Sequence, residues 1–333
     1  MSLLDEAAAA RPRIALARWP TPLDRLDRLS AELGIELWIK RDDLTGIGAG
    51  GNKLRKLEFI AAEAVAAGAT CLITTGGPQS NHARITAAVA ARLGLACRLM
   101  LRGTDPGGRR GNLLLAELFG AAVEFQGDIT YDEVSARMAA AGAAIAAAGG
   151  RACEIPLGGA TGSGTLAYAL GWQEIAGQCR EAGFAPDLLV CAAGTGSTYA
   201  GLLLGARCLG ARARLLGVSV SWTRAKLGSE VARLLGEAAA LLPGGPPPGG
   251  PEAWIDDSFV GPGYTIPTPA SRAALLALAR QEGVLLDSTY TAKAMSGLVA
   301  MVGDGRIPRG ARVVFLHTGG TPELYARDGV EPA

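Results

Sequence analysis

The chain has 333 residues, enough for a large core and for two lobes. Its 32 Lys plus Arg stand against 31 Asp plus Glu, so no global field favours nucleic acid or an acidic membrane, and the expected partner is a small molecule. The composition, 49% hydrophobic with 47 glycines, suits an alanine-rich α/β protein whose apolar runs are too short to cross a bilayer. The N-terminal "MSLLDEAAAARPR" lacks the basic segment and apolar run of a secretory signal, and the expected location is cytoplasmic.

The first unusual stretch is "GIGAGGNKLRKLEF", Gly46 to Phe59. Gly46 and Gly51 have the spacing of a nucleotide P-loop, but Asn52 stands where its lysine belongs, Lys53 comes one place late, and Leu54 offers no hydroxyl to magnesium. Further along, "TCLITTGG" predicts a strand and "NHARITAAVAARLGL" a helix, with Asn81 as its N-cap and Gly94 as its stop. Next come "ACRLMLR" as strand, "NLLLAELFG" as helix, "AAVEFQGD" as strand and the alanine-rich "ARMAAAGAAIAAAGG" as helix. The pattern restarts with "DLLVCAAGTGSTYAGLLLGAR", read as strand, glycine loop and helix, followed by the strand "ARLLGVSVS". The Pro/Gly-rich 241–251 reads as a surface loop. "LLDSTYTAKAMSGL" reads as a strand-like run passing into a helix at Tyr290 and Thr291, and "ARVVFLHTGG" as a late strand. Such alternation argues for parallel sheets covered by helices, in two α/β units.

Six cysteines, at 71, 97, 153, 179, 191 and 208, are scattered without a C-x-x-C pair and read as buried free thiols. With only His82 and His317 in the chain, no multi-histidine metal site is expected.

Ligands of open α/β sheets sit beyond the carboxyl ends of strands, and four stretches fit that description: 50–53, 78–82, 194–198 and 317–320. The loop Gly194, Thr195, Gly196, Ser197, Thr198 follows a strand and opens a helix, so its N–H groups suit a phosphate. Dinucleotide binding fits less well, because Tyr199 occupies the place of the third glycine. Ser80, Asn81 and His82 stand in series at a helix start, where free N–H groups can hold a carboxylate. No G-x-S-x-G elbow supports a Ser-His hydrolase.

In this order, "WPTPLDRLDRLS", "IKRDDLTG", "GGNKLRKLEF", "QSNHARITAAVAARLGL", "GPGY", "DSTYTAKAMSGL" and "LHTGG" resemble the pyridoxal-phosphate enzymes of the 1-aminocyclopropane-1-carboxylate deaminase and D-cysteine desulfhydrase family. The resemblance covers nearly the whole chain. It implies an α/β protein of fold type II, tryptophan synthase β-like, with two open twisted parallel-sheet domains. The large cofactor-binding domain would comprise 1–60 and 165–333, and a small mobile domain 61–164. Lys53 would form the Schiff base with pyridoxal phosphate. Asn52, Asn81, the loop Gly194–Thr198 and Thr318 would contact the cofactor, Asn81 at the pyridine hydroxyl and Thr318 at the ring nitrogen. Ser80, Asn81, His82, Gly159, Tyr264 and Tyr290 would meet the substrate, with Lys53, Tyr290 and Ser80 catalytic.

Within the family, the deaminases carry Tyr-Glu where this chain has Tyr290-Thr291, and they lack the threonine of "LHTGG". Both features resemble the desulfhydrase branch. The implied reaction is β-elimination on a small amino acid, D-cysteine to pyruvate, sulfide and ammonium, with a cysteate sulfo-lyase or a cyclopropane deaminase as alternatives. A homodimer is implied by the resemblance.

Overall fold

A computed structural model describes residues 2–245 and 249–326. The three prolines at the centre of the Pro/Gly stretch, 246–248, lie outside the described residues. Ten strands form two sheets among the described residues: β1 (Leu23–Arg25), β2 (Glu36–Arg41), β3 (Cys71–Gly76), β4 (Ala96–Leu101), β5 (Ala122–Phe125), β6 (Ala152–Ile155), β7 (Leu188–Ala193), β8 (Arg214–Ser219), β9 (Trp254–Asp256) and β10 (Arg312–His317).

The larger sheet has the order β1-β2-β10-β7-β8-β9, parallel except for the edge pair β1–β2; the smaller, β5-β4-β3-β6, is parallel throughout. Central strands of parallel sheets are covered on both faces and therefore read as continuous apolar runs. Leu188–Ala193 is such a run, and all six of its residues are buried. One face of the larger sheet packs Leu37, Val190, Val218 and Phe315 against the helices Pro269–Glu282 and Thr291–Gly303. The other packs Leu189, Cys191, Leu215 and Leu316 against Gly162–Glu181, Ser197–Cys208 and Arg224–Ala239. The smaller sheet is likewise covered on both faces.

The helices Gly162–Glu181 and Ser197–Cys208 approach closely because two glycines face the contact. A Cβ on Gly201 would lie 2.2 Å from the Thr165 carbonyl oxygen, and one on Gly205 would lie 2.5 Å from that of Ala169.

Two local expectations change. The cap of Asn81–Leu93 is Ser80, whose Oγ accepts from the Ala83 N–H at 3.1 Å; Asn81 is the first helical residue, not the cap. Gly94, left-handed at φ +69°, does end that helix. The run before Tyr290 is not a strand, because the Asp287 carboxylate collects the N–H groups of Thr289, Tyr290 and Thr291, turning the chain into a helix start.

The helix Lys53–Ala66 runs unbroken through residues 60 and 61, and Gly162–Glu181 runs through 164 and 165. The boundaries expected at 60/61 and 164/165 therefore fall inside helices. The first of these helices packs Leu54, Leu57, Ile60 and Ala61 with Leu72 and Ile155 of the smaller sheet.

Candidate active site

The loops after β3, β7 and β10 converge with the start of the helix Lys53–Ala66 around one cavity of about 440 Å³. Glycine makes the approach to that helix. Gly50 and Gly51 have φ of +65° and +123°, and a Cβ on Gly50 would stand 1.9 Å from the Asp43 carbonyl oxygen. The turn thus excludes side chains where the backbone doubles back, and it releases Lys53 at the first helical position.

Below Lys53, a buried ionic network fixes the helix. Arg55 donates to both Asp42 oxygens at 2.8 Å and to Glu174 at 2.9 and 2.8 Å, while Lys40 also bonds Glu174. Burial would raise the Asp42 carboxyl, but Arg55 beside it holds it down at about 2. Tyr168 adds a hydroxyl donor to the same carboxylate at 2.7 Å.

Asn52 ties the helix start to two of the converging loops, those after β10 and β7. Its backbone N–H donates to the Thr318 carbonyl at 3.0 Å, and its side-chain Nδ2 donates to Thr198 Oγ1 at 3.0 Å. The glycine loop continues this frame. Gly196 is left-handed at φ +86°, Ser197 opens the helix Ser197–Cys208, and Thr165 Oγ1 shares a hydrogen bond with Ser197 Oγ. The first-turn N–H groups of that helix have no intrahelical acceptor, so they are donors free to meet an anion at the cavity wall.

Lys53, Ser80, Asn81, His82, Gly194 to Thr198, Tyr264, Tyr290, Asn52 and Thr318 all line the cavity. Gly159 does not: its position faces inward, where an added Cβ would meet His82 and Lys56, and Gly158 forms the wall instead. Tyr264 and Tyr290 share a hydroxyl–hydroxyl hydrogen bond, with rings edge to face at a centroid separation of 5.8 Å. The Tyr290 ring packs where a side chain on Gly194 would lie, 3.3 Å from its Cβ position. Burial, then the neighbouring Tyr264, raises the Tyr290 phenol well above its ordinary value, so it stays protonated and able to donate.

His82 turns its ring inward. Nε2 lies 2.9 Å from Thr74 Oγ1, whose own hydrogen goes to the Ile155 carbonyl at 2.7 Å. Nε2 therefore carries the ring proton, and the buried Nδ1 keeps a lone pair with no partner among the described residues. Burial, and then the charges of Lys53 and Lys56, push the His82 pKa well down. A neutral ring of this tautomer offers an acceptor, so the donors available to an anion at this position are the N–H groups of the helix start and the Ser80 hydroxyl. Gly76 makes room for that hydroxyl, since a Cβ there would sit 2.3 Å from Ser80 Oγ.

Reading the sequence missed several wall residues. Lys56 is buried, and burial followed by Lys53 drives its pKa well down; its spacing of three from Lys53 on one helix was the available signal. Arg102, Tyr131, Trp222 and Lys226 also line the cavity, and no local pattern marks them. Among the described residues the wall contains no Asp or Glu at all. Thr291, after Tyr290, is fully buried and bonded to Asp287, away from the cavity.

A carboxylate-free wall, free helix-start N–H groups and a lysine suit an anionic aldehyde. Burial lowers Lys53 to about 8, which leaves about a tenth of it as free amine at pH 7, far more than an ordinary lysine has. Residues 14–319 match the family model described as pyridoxal-phosphate dependent enzyme.

The chain belongs to the pyridoxal-phosphate dependent enzyme family.

Curated relatives cover this family member almost end to end. The D-cysteine desulfhydrase of Klebsiella pneumoniae subsp. pneumoniae is 42% identical over 327 residues, spanning 95% of this chain and 96% of the relative. That of Salmonella newport is 41% identical over 320 residues, with the same coverage. Among solved structures, an ACC deaminase homologue superposes with a TM-score of 0.89 at 35% identity, covering 97% of this chain and 96% of its own. The diaminopropionate ammonia lyase of Escherichia coli superposes with a TM-score of 0.69 at 17% identity, covering 97% and 88%, and shares the fold. The architecture is fold type II, and the cofactor of this family is pyridoxal phosphate.

Proposed function

We propose that this pyridoxal-phosphate enzyme is a β-lyase that converts D-cysteine and water to pyruvate, sulfide and ammonium. The observation that carries the reading is the paired Tyr264 and Tyr290 hydroxyls on a cavity wall without carboxylates, with Thr291 turned away beneath them. The wall thus has a proton donor suited to a departing thiolate. It has no carboxylate near the ring nitrogen, the feature expected of the cyclopropane deaminases. The choice of D-cysteine is supported by relatives 41–42% identical that bear that name.

The residues fit the cofactor. Lys53 would hold its aldehyde carbon, the loop Gly194–Thr198 its phosphate, Asn81 its phenolic oxygen, and the Thr318 hydroxyl its ring nitrogen. When bound, pyridoxal phosphate supplies an electron sink for negative charge at the substrate Cα. The chain's own groups do the rest. The Asn81 and His82 N–H groups with the Ser80 hydroxyl bind the substrate carboxylate. Lys53 Nζ, its pKa lowered to about 8 by burial, takes the Cα proton. Tyr290 Oη gives a proton to the sulfur as the Cβ–S bond breaks, and Tyr264 holds that hydroxyl in place. A neutral Thr318 does not keep the ring nitrogen protonated as an aspartate would, which favours elimination over transamination.

We expect the segment 61–164 to close over the substrate, and the protein to act as a cytoplasmic homodimer. Among the described residues no helix is long and apolar enough to cross a membrane. Light scattering of the purified protein tests the dimer.

The deciding experiment combines an absorption scan with a substrate panel. Purified protein should show a visible band that Lys53→Ala removes, and keto acid should form from D-cysteine in preference to L-cysteine, cysteate, D-serine and the cyclopropane amino acid. Activity confined to the cyclopropane substrate would overturn the assignment to the desulfhydrase branch.

A further inference from the structure

Asn81 is an amide, and an amide can present either an acceptor or two donors to the cavity. Which face it shows is decided behind it, by Asn112. Asn112 is 1% exposed and lies in the first turn of the helix Gly111–Leu118, which packs against the helix Asn81–Leu93. Its backbone N–H donates to Gln79 Oε1 at 2.8 Å, and Gln79 Nε2 donates in turn to the Arg110 carbonyl at 3.1 Å. Its side-chain Nδ2 donates twice, to the Gln79 backbone carbonyl and to Asn81 Oδ1, both at 2.9 Å.

A backbone carbonyl can only accept, so the Gln79 carbonyl requires the nitrogen of the Asn112 amide on its side. With both Nδ2 hydrogens committed, the group facing Asn81 is a donor, and Asn81 must answer with Oδ1. The remaining Asn81 Nδ2 is left as a donor, and Asn81 lines the cavity. The reverse orientation would bring two NH₂ groups together in a buried contact, at about 1–3 kcal/mol.

We infer that Asn112 is a positioning residue that locks Asn81 as a hydrogen-bond donor toward the cavity, and so favours an ionised phenolic oxygen on the cofactor. It acts through Asn81 and touches neither cofactor nor substrate. The inference rests on the cofactor placement given above.

The pH titration of the visible absorption band tests it in wild type, Asn112→Leu, Asn81→Leu and the double variant, with circular dichroism as a check on folding. A donor on the phenolic oxygen lowers the titration midpoint. Asn112→Leu should therefore raise the midpoint by about 0.5–1 unit, Asn81→Leu by at least as much, and the double variant no further than Asn81→Leu alone. Asn112→Asp keeps the shape of the side chain but presents acceptors where Nδ2 stood. It should move the midpoint the same way, and it serves if the leucine variant does not fold. A wild-type midpoint in a folded Asn112 variant, or a shift that persists undiminished in the Asn81→Leu background, would overturn the inference while leaving the enzyme assignment intact. Absence of any visible band in wild type would instead sink the cofactor placement and the inference together.

Discussion

Asn52 Nδ2 donates to Thr198 Oγ1 at 3.0 Å, joining the residue before Lys53 to the glycine loop 146 positions later in the chain. Through this bond the two ends of the cofactor, aldehyde and phosphate, would be held at a fixed separation. Replacing Asn52 with Ala, or Thr198 with Val, should weaken cofactor binding about 5- to 10-fold, equivalent to one buried hydrogen bond of about 1–1.5 kcal/mol. Equilibrium titration of the visible band measures this. The double variant should be no worse than the poorer single one, and additive losses would show that the bond does not act as a unit.

Lys53 gives a pH signature. Burial lowers its pKa from 10.5 to about 8, so the rate at which cofactor-free protein captures pyridoxal phosphate should rise with a midpoint near 8, as followed by rapid-mixing absorbance. The same shift bears on stability. The folded cofactor-free protein holds this proton less tightly than the unfolded chain, so the destabilisation is complete below about pH 8 and fades as the pH rises towards 10.5. Lys53→Met should therefore stabilise the cofactor-free protein at pH 7 by about 1–2 kcal/mol, a value reduced because the amine opens onto the cavity, and the gain should shrink by pH 10.

The tyrosine pair separates chemistry from architecture. Tyr290→Phe removes the proton donor proposed for the leaving sulfur, and kcat for D-cysteine should drop by about 10²–10⁴-fold. Tyr264→Phe leaves that donor in place and should cost less. β-Chloroalanine, whose chloride leaves without a proton, should be turned over by Tyr290→Phe at close to the wild-type rate. An equal loss on both substrates would remove Tyr290 from the role of acid.

Packing between the helices Gly162–Glu181 and Ser197–Cys208 leaves no room for one methyl group at Gly201, where a Cβ would meet the Thr165 carbonyl and Tyr168. Gly201→Ala should destabilise by about 1–3 kcal/mol, read as a lowered denaturant midpoint. Gly236, on the helix Arg224–Ala239 with nothing within 4 Å, is the control, and alanine there should be neutral or stabilising.

The order of elements, the parallel sheets and the place of Lys53 behind a glycine turn follow from the sequence because they depend on local signals. Apolar runs such as "DLLVC" mark covered parallel strands, helical spacing marks "NHARITAAVAARLGL", and a failed P-loop spacing isolates Lys53. Most of the proposed wall was legible because loops at strand ends are where such sheets bind ligands. What remained belongs to the third dimension. A cap at Ser80 rather than Asn81 depends on backbone angles. The inward turn of Gly159, the nearness of Lys56 and the arrival of Arg102 and Lys226 at the wall depend on how the two sheets are joined. Only the folded chain brings Gln79, Asn112 and Asn81 together, because a hydrogen bond between residues 31 positions apart is set by helix placement and not by any periodicity of the sequence.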